Sequence, residues 1–283
     1  KSGSYTAVFK AKANINELLK LIPGNVTATY DGKAHVAGIA TVTGDDVASI
    51  KIEYQKADES WTTNPSEITA TNVSDSKTVK VRVTSEKYIG KLTGIEELTI
   101  TKRKVTLTSE TASKAYDGTA LTKPEVTVGG DGFVDGEVEG IKAIGTITNV
   151  GGPVANPIEY TGVEGKFNAG NYKIQKQEGT LTITKAGSLG LTVEGAERKY
   201  NGEPLSAAKV EASVTEGTTI SYSTDDGSTW TAEAPSITKA GTLNVKVKAE
   251  NPNYETVEEA YKLKVTKRKV TLTSETASKA YDG

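Results

Sequence analysis

One eighteen-residue sequence occurs twice in this chain, and this repeat constrains the fold more than any other feature. Residues 101–118 read TKRKVTLTSETASKAYDG, and residues 266–283 read the same letters 165 positions later. A shorter Tyr-Asp-Gly or Tyr-Asn-Gly motif recurs at intervals of 86, 84 and 81 residues, beginning at Tyr30, Tyr116, Tyr200 and Tyr281. A unit of about eighty residues has the size of a small β-sandwich and is too long for a solenoid coil or a propeller blade.

The residues between these motifs favour strands. Leu98-Thr-Ile100, Leu181-Thr-Ile183 and Leu263-Lys-Val265 alternate apolar and polar side chains, as half-buried strands do. Thr makes up 40 of the 283 residues, while 28 Gly and 8 Pro supply turns. The sequence therefore predicts an all-β fold of tandem immunoglobulin-like β-sandwich modules in an elongated array, with six to eight short strands and a separate core in each module.

The repeated units are of two kinds. In the first and third units a Tyr-bearing strand leads to a Trp, from Tyr54 to Trp61 and from Tyr222 to Trp230. The middle unit lacks the Trp and carries the glycine-rich passage Gly129–Gly136 instead. We predict five segments: the end of a preceding β module, three complete modules joined by short linkers, and the first strand of a following module, at residues 1–23, 24–103, 104–186, 187–268 and 269–283.

The first of these segments is ambiguous in secondary structure. Residues 5–14 resemble the strand at 242–251, which is why they are assigned to the end of a module. Ile15, Leu18 and Ile22 have helical spacing, with Asn14 as a cap. The repeat places a final strand at residues 19–21 instead, and we favour the strand because an isolated short helix is marginal.

Composition excludes several classes of function. Lys plus Arg is 34 and Asp plus Glu is 36, so the net charge of −2 gives no general reason to bind nucleic acid or an anionic membrane. The chain has no Cys, no Met and one His. Disulfides, thiolate metal sites, cysteine nucleophiles and triads needing two imidazoles are therefore excluded. No apolar run approaches the length of a bilayer span, and no signal peptide is expected at the start.

The conspicuous single residues have structural interpretations. His35 stands where the other units have Leu121 and Leu205, so we interpret it as a packing variant and not as a metal ligand. Trp61 and Trp230 are expected to pack across strands or onto the core. The Tyr before each Asp-Gly or Asn-Gly turn is expected to cover the end of a sandwich, in preference to binding sugars.

Two kinds of charged segment remain. Acidic turns at residues 44–46, 131–135 and 225–228 can supply oxygen ligands for calcium between modules, but none has the alternating acidic loop that ends in Glu. Turn chemistry explains them, so no cofactor is predicted. The basic triplets at 102–104 and 267–269 are interpreted as solvated linkers. We assign no catalytic, cofactor-binding or metal-binding residue, and name no residues for an isopeptide cross-link.

The motifs resemble two families of bacterial surface domains. Residues 24–103 and 187–268 resemble MBG domains through Tyr30-Asp-Gly32 or Tyr200-Asn-Gly202, the Tyr-to-Trp hairpin, and the turn at Tyr88 or Tyr254. The middle unit is similar to the YDG domain of large bacterial adhesins, with Tyr-Asp-Gly118, the closing strand 181–184 and the motif Asn-Ala-Gly-Asn-Tyr172. The resemblance implies extracellular immunoglobulin-like modules forming the stalk of a cell-surface adhesin or fibrous appendage, with no catalytic residues to carry over.

The function predicted is mechanical: spacer repeats whose partners are the neighbouring modules of the same chain. Two other classes stay open. One is a module that binds a glycan or a host protein through loops at its ends, which an exposed aromatic cluster would favour. The other is a filament subunit assembled by strand exchange between chains. An enzyme would need two carboxylates facing each other across a cleft, and nothing in the sequence places them so.

Overall fold

The computed structural model describes residues 10–283, and strands make up 51% of it against 6% helix. The all-β prediction is confirmed. The chain divides into two compact units. Unit 1 comprises the residues up to Thr111 together with Lys123–Ile144 and Ala155–Gly179. Unit 2 comprises Ala112–Thr122, Gly145–Val154 and the residues from Thr180 onward. The middle stretch of the sequence therefore contributes strands to both units.

The elements before residue 102 all belong to unit 1. They are α1 (Ile15–Leu18), β1 (Leu19–Ile22), β2 (Val26–Thr29), β3 (His35–Val36), β4 (Thr41–Gly44), β5 (Ile50–Gln55), β6 (Trp61–Thr62), β7 (Thr69–Ala70), β8 (Lys77–Ser85) and β9 (Leu92–Thr101). Single 3₁₀ turns occupy Val47–Ser49, Pro65–Glu67 and Val73–Asp75.

The middle stretch is denser in strands than predicted. Its strands are β10 (Arg103–Ser109), β11 (Ala112–Ala115), β12 (Leu121–Thr122), β13 (Val126–Gly130), β14 (Val138–Ala143), β15 (Thr146–Ile147), β16 (Gly151–Asn156), β17 (Ile158–Gly162), β18 (Tyr172–Gln177) and β19 (Gly179–Thr184), with a 3₁₀ turn at Ala169–Asn171. The remaining strands are β20 (Ala186–Ser188), β21 (Leu191–Glu194), β22 (Ala196–Lys199), β23 (Lys209–Ala212), β24 (Thr219–Ser223), β25 (Gly241–Glu250), β26 (Tyr254–Glu255) and β27 (Val257–Thr266).

The first and third repeats build corresponding sheets. In unit 1 the largest sheet has the order β2-β9-β8-β5-β6, in which β2 runs parallel to β9 and the other pairs are antiparallel. In unit 2 the order β22-β27-β25-β24 repeats this arrangement, again with one parallel pair. Alternate residues of β8 (Val79, Val81) and of β25 (Val245, Val247) are buried. The two-residue periodicity of the sequence therefore selects the buried face of each sheet.

The middle stretch forms two three-stranded sheets. In unit 1, β10 lies between β13, to which it is antiparallel, and β18, to which it is parallel. In unit 2, β19 lies between β11 and β16, and β11 is parallel to it. Each of these parallel pairs joins strands that are distant in the sequence, because two parallel strands cannot be connected by a tight hairpin.

The cores of unit 1 do not follow the predicted modules. One hydrophobic cluster contains Leu98 and Ile100 from β9, Val105 and Leu107 from β10, and Tyr172 from β18. The prediction that each module buries its own separate core is wrong here, because the strand that follows residue 102 joins the same apolar interior. In unit 2, one cluster is built around Val245, Val247 and Leu263, and a smaller one around Leu121, Leu181 and Ile183. The predicted boundaries at 103/104 and 186/187 stay predictions, and each falls inside a unit.

The two ambiguous ends have different outcomes. Helix and strand both occur near the start: α1 is capped by the Asn14 side chain, and β1 follows it and pairs with β4. Residues 5–9 of the predicted first strand lie outside the described residues. The assignment of 269–283 to the first strand of a following module stays a prediction, and residues 267–283 have no regular secondary structure in this chain. The short linkers expected at residues 102–103 and 186–187 are also wrong in part, because Arg103 begins β10 and Ala186 begins β20.

Candidate functional site: a tyrosine–glutamate cluster in unit 1

The first three Tyr-Asp/Asn-Gly motifs form the same turn. In each, the Asp or Asn side chain accepts a hydrogen bond from the backbone N–H two residues later, at 2.9 Å for Asp31, 2.9 Å for Asp117 and 3.1 Å for Asn201. The glycine between them has a positive φ of 78°, 81° or 92°. The turns predicted at these pairs are therefore confirmed, and the glycine supplies the positive φ that they require.

The first of these turns places Tyr30 inside unit 1. The Tyr30 N–H donates to Thr101 O at 2.9 Å, which extends the pairing of β2 with β9 and fixes the direction of the ring. Only 4% of Tyr30 is exposed. Its hydroxyl donates to Glu137 Oε1 at 2.6 Å, and the Tyr172 hydroxyl donates to Glu137 Oε2 at 2.6 Å. We call Tyr30, Arg103, Glu137 and Tyr172 the Tyr30 cluster.

Aromatic packing encloses this carboxylate. The Tyr30 and Tyr172 rings meet edge to face with centroids 5.5 Å apart, and Phe133 lies 5.3 Å from Tyr172. Burial and the hydrogen bond to Glu137 raise the pKa of Tyr30 to about 12. The same two causes raise the pKa of Tyr172 well above its ordinary value. Both phenols therefore remain donors at neutral pH, and both oxygens of the buried carboxylate are occupied.

Arg103 completes the cluster from β10. Its guanidinium donates to the carbonyls of Gly132 (2.7 Å), Asp131 and Tyr30 (3.4 Å). The interpretation of this triplet as a solvated linker is wrong at Arg103, while Lys102 and Lys104 are exposed. A guanidinium with several donors in one plane can bind successive carbonyls of a tight glycine-rich loop, which a lysine cannot do in the same way.

A pair of asparagines reinforces the contact beside the cluster. The Val73 N–H donates to Asn171 Oδ1 at 2.9 Å, and the Asn171 amide donates to Asn72 Oδ1 at 2.8 Å. Asn171 is buried, so these bonds are shielded from water. Hydrogen bonds from three elements of the middle stretch therefore meet the first repeat at one place.

Unit 2 contains a related but less polar cluster around the second turn. The Tyr116 and Tyr254 rings meet edge to face with centroids 5.6 Å apart. Asn253 accepts from the Val150 N–H at 2.9 Å, and its own carbonyl accepts from the Ala186 N–H at 3.0 Å. This cluster again joins the middle stretch to a neighbouring repeat, here the third, but without a buried carboxylate.

The residues singled out from the sequence occupy structural positions. His35 keeps the strand position of Leu121 and Leu205, and its Nε2 lies 3.0 Å from Asp31 Oδ1. Arg82 lies over the Trp61 ring at 4.2 Å, and Lys248 lies over the Trp230 ring at 4.9 Å. Both cations come from the strand next to the Tyr-bearing strand, so the predicted cross-strand packing of the tryptophans is confirmed.

The acidic turns bind groups of their own chain. Asp46 Oδ2 lies 2.5 Å from Lys87 Nζ, and Asp131 Oδ2 accepts from the Lys104 N–H at 3.0 Å. Hydrogen bonds from Thr229 and Ser223 lower the pKa of Asp225 to about 2. Among residues 10–283, no three His, Asp or Glu side chains are grouped as metal ligands.

Sequence reasoning missed the two charged members of the cluster. Glu137 and Arg103 are surrounded in the sequence by glycines and lysines, which indicate turns and solvent. The sequence did contain one indication of the site, which is a difference between the three repeats. Only the middle repeat has the glycine-rich loop, and this loop ends in the Glu that the Tyr30 hydroxyl contacts.

Comparisons with other proteins give no family. Within the described part of the chain, no helix is both long and apolar enough to span a bilayer. No protein-family model matches the sequence, and no curated protein sequence matches it either.

Solved structures resemble the chain only weakly. A bacterial ice-binding adhesin of 1.5 MDa aligns with 13% identity over 89% of this chain and 98% of that one, at a TM-score of 0.35. Cadherin domains 3–6 of protocadherin gamma B2 align with 13% identity over 86% of this chain and 71% of that one, at a TM-score of 0.28. The EC1-3 segment of Drosophila N-cadherin aligns with 6% identity over 87% of this chain and 99% of that one, at a TM-score of 0.26. At TM-scores below 0.5 these likenesses carry no conclusion about the function of this chain.

Proposed function

We propose that this chain supplies the structural spacer repeats of a bacterial cell-surface adhesin or fibrous appendage, which extend a distal binding region from the cell. The modules of the MBG and YDG kind suggested by the sequence fit this role, and so does an extracellular location. The chain then acts through its length and cohesion and not through a reaction.

The Tyr30 cluster is the observation that carries this proposal. Its buried carboxylate accepts from both phenols, and the half-buried Arg103 guanidinium donates to the backbone of Tyr30 and of the loop before Glu137, so every member bonds to another part of the chain. A catalytic carboxylate needs access to a substrate and a free acceptor or proton. Glu137 is buried with both oxygens occupied, so its chemistry serves to hold two consecutive repeats together.

The duplicated sequence supports the same role. An array that grows by tandem duplication gains one increment of length for each copy, and its stability is close to a sum of local terms. The two-repeat period of 165 residues is the natural increment here. A spacer requires no further chemistry from the added copies.

The proposal is tested by changing the number of copies. In the full chain, residues 104–268 would occur once, as in this sequence, or two or three times in succession between residues 103 and 269. Each chain would be placed between a cell-surface anchor and a distal epitope, and the distance between labels on the two would be measured. We expect a constant increase in distance with each copy. A matched series carrying Glu137→Ala in every copy should give a broader distribution of distances. A distance that does not change with copy number would contradict the spacer role.

A further inference from the structure

Tyr200 of the third repeat occupies the position that Tyr30 has in the first. The Tyr200 N–H donates to Thr266 O at 2.9 Å, as Tyr30 N–H does to Thr101 O. Each tyrosine follows a strand that runs parallel to the last strand of its repeat. The four residues after that last strand are the same, Lys-Arg-Lys-Val, at 102–105 and 267–270. Two members of the Tyr30 cluster, the Tyr after the parallel strand and the Arg after the last strand, are therefore present in both repeats.

The two copies differ in what covers them. Tyr30 is 4% exposed beneath the loop that carries Glu137, whereas Tyr200 is 44% exposed. Tyr200 lines an open groove of about 610 Å³ together with Gly202, Lys239, Lys267 and Arg268. None of these three cations forms an ion pair with a residue in the described part of the chain. The groove thus has a phenol donor and cationic donors without a matching acceptor.

The loop that covers Tyr30 has chemical groups complementary to those of the groove. The loop 131–137 presents the carbonyls of Asp131 and Gly132 to Arg103, and the carboxylate of Glu137 to Tyr30. The loop contains three acidic residues in seven. Its positive-φ glycines, such as Gly132 at 67° and Gly136 at 75°, allow the tight course that brings these acceptors to one side.

We propose that the face formed by Tyr200, Lys267 and Arg268 is a docking surface for a further repeat of the middle type, which binds through a loop with the chemistry of residues 131–137. The segment 266–283 supports this occupant, because it has the sequence of the first two strands of such a repeat. A second copy of this chain fits less well, since its own 131–137 loop already covers its own Tyr30. The inference goes beyond the spacer role and does not depend on it.

The test is an extended chain in which residues 119–186 are copied after Gly283. Hydroxyl-radical footprinting read by mass spectrometry would compare Tyr200 in the 283-residue and extended chains, with Tyr30 as the protected reference. We expect the reactivity of Tyr200 to fall about tenfold, in proportion to exposures of 44% and 4%. The matched variants are Arg268→Ala and, in the added loop, the copy of Glu137 changed to Ala. Both should restore much of the reactivity in the extended chain, and Arg268→Ala should have no effect in the 283-residue chain.

Hydrogen exchange at amides 270–274 shows separately whether the added repeat has folded, since the same sequence forms β10 at 105–109. A folded added repeat that leaves Tyr200 as reactive as before would overturn the proposal. So would an added repeat that does not fold at all. Protection of Tyr200 that rises with concentration of the 283-residue chain would identify a second copy as the occupant, and would also overturn it. The spacer role is contradicted only by a distance that does not grow with copy number, and this proposal only by the outcomes just given, so the two proposals fail separately.

Discussion

Residues 101–118 and residues 266–283 have one sequence and two structures. In the first copy, Val105 and Leu107 are 1% and 0% exposed in β10. The corresponding Val270 and Leu272 are 72% and 92% exposed, in a segment without regular secondary structure. The strand propensity of the residues and the alternation of apolar and polar side chains are identical in the two copies, so neither property determines which copy becomes a strand.

The difference lies in the neighbours. β10 has a paired strand on each side, β13 antiparallel and β18 parallel, and both contribute apolar residues to the cluster beneath it. Strand propensity mostly measures how a residue fits such surroundings, and a strand without a sheet is not stable by itself. The second copy has the sequence of β10 without these partners.

The largest difference in stability between the two copies should appear when the same Leu is replaced by Ala in each. Leu107→Ala should destabilise unit 1 by about 2–5 kcal/mol, because it leaves a cavity in a packed core. Leu272→Ala should change the stability of unit 2 by less than about 0.5 kcal/mol, as exposed positions usually do. Urea unfolding followed by the fluorescence of Trp61 in a Trp230→Phe background reports unit 1, and Trp230 in a Trp61→Phe background reports unit 2. Equal effects at the two positions would mean that the second copy is also packed.

The next effect concerns the tyrosines that precede these segments. Tyr30→Phe removes a partner of the buried Glu137 carboxylate and should cost about 1–3 kcal/mol in unit 1. Tyr200→Phe, at the corresponding exposed position, should stay within about 0.5 kcal/mol of the parent. The same two fluorescence assays measure both variants. If Tyr30→Phe proved neutral, the Tyr30 cluster could not be what holds the two repeats together.

The fold was predictable from the sequence to the extent that it depends on local pattern. Alternation in β9, β19 and β27 identified the buried residues, and Asp-Gly or Asn-Gly identified the turns. The shared interior of unit 1 was not predictable in this way, because Val105 and Leu107 show an apolar face without showing which sheet it meets. The identical Val270 and Leu272 demonstrate that this information is absent from the local sequence.

The candidate site was less predictable than the fold. Tyr30 was recognised as a repeating aromatic residue at a turn, but its partners lie 107 residues away at Glu137 and 142 residues away at Tyr172. Arg103 was assigned to solvent because it stands between two lysines. A run of like charges usually is solvated. The carbonyls that bind Arg103 belong to a loop whose position depends on the pairing of β10 with β13.

A smaller effect is expected at alkaline pH. The pKa of Tyr30 is raised to about 12 in the folded state from 10 in an unperturbed tyrosine. The stability contributed by this group is therefore fully present below pH 10 and is lost as the pH rises toward 12. Linkage predicts that Tyr30 contributes a loss of about 1.4 kcal/mol between pH 9 and pH 11, in addition to the loss from Tyr172, whose pKa is also raised. Tyr30→Phe should show that much less loss over the same range.

The smallest effect is expected at one buried position in the last strand of the first and third repeats, where the two repeats have different residues. Glu96 in β9 corresponds to Tyr261 in β27, counted back from Leu98 and Leu263, and both are buried. Glu96 accepts from the Gly24 N–H at 3.1 Å through one oxygen, and its other oxygen has no partner. Burial raises the pKa of Glu96, so its contribution to stability is greatest below the ordinary pKa of Glu and is lost as the pH rises through the raised value.

Replacing this carboxyl should therefore have a pH-dependent effect in the first repeat alone. Glu96→Gln should gain about 1 kcal/mol in unit 1 relative to the parent at pH 7, and this gain should shrink as the pH falls toward 4. The matched Tyr261→Phe removes a buried hydroxyl that also lacks a partner, and should be nearly neutral with no pH dependence over that range. Unfolding curves at pH 4, 5.5 and 7 would measure both. A pH-independent Glu96→Gln effect would show that the carboxyl is not desolvated, and that the first and third repeats bury this position alike.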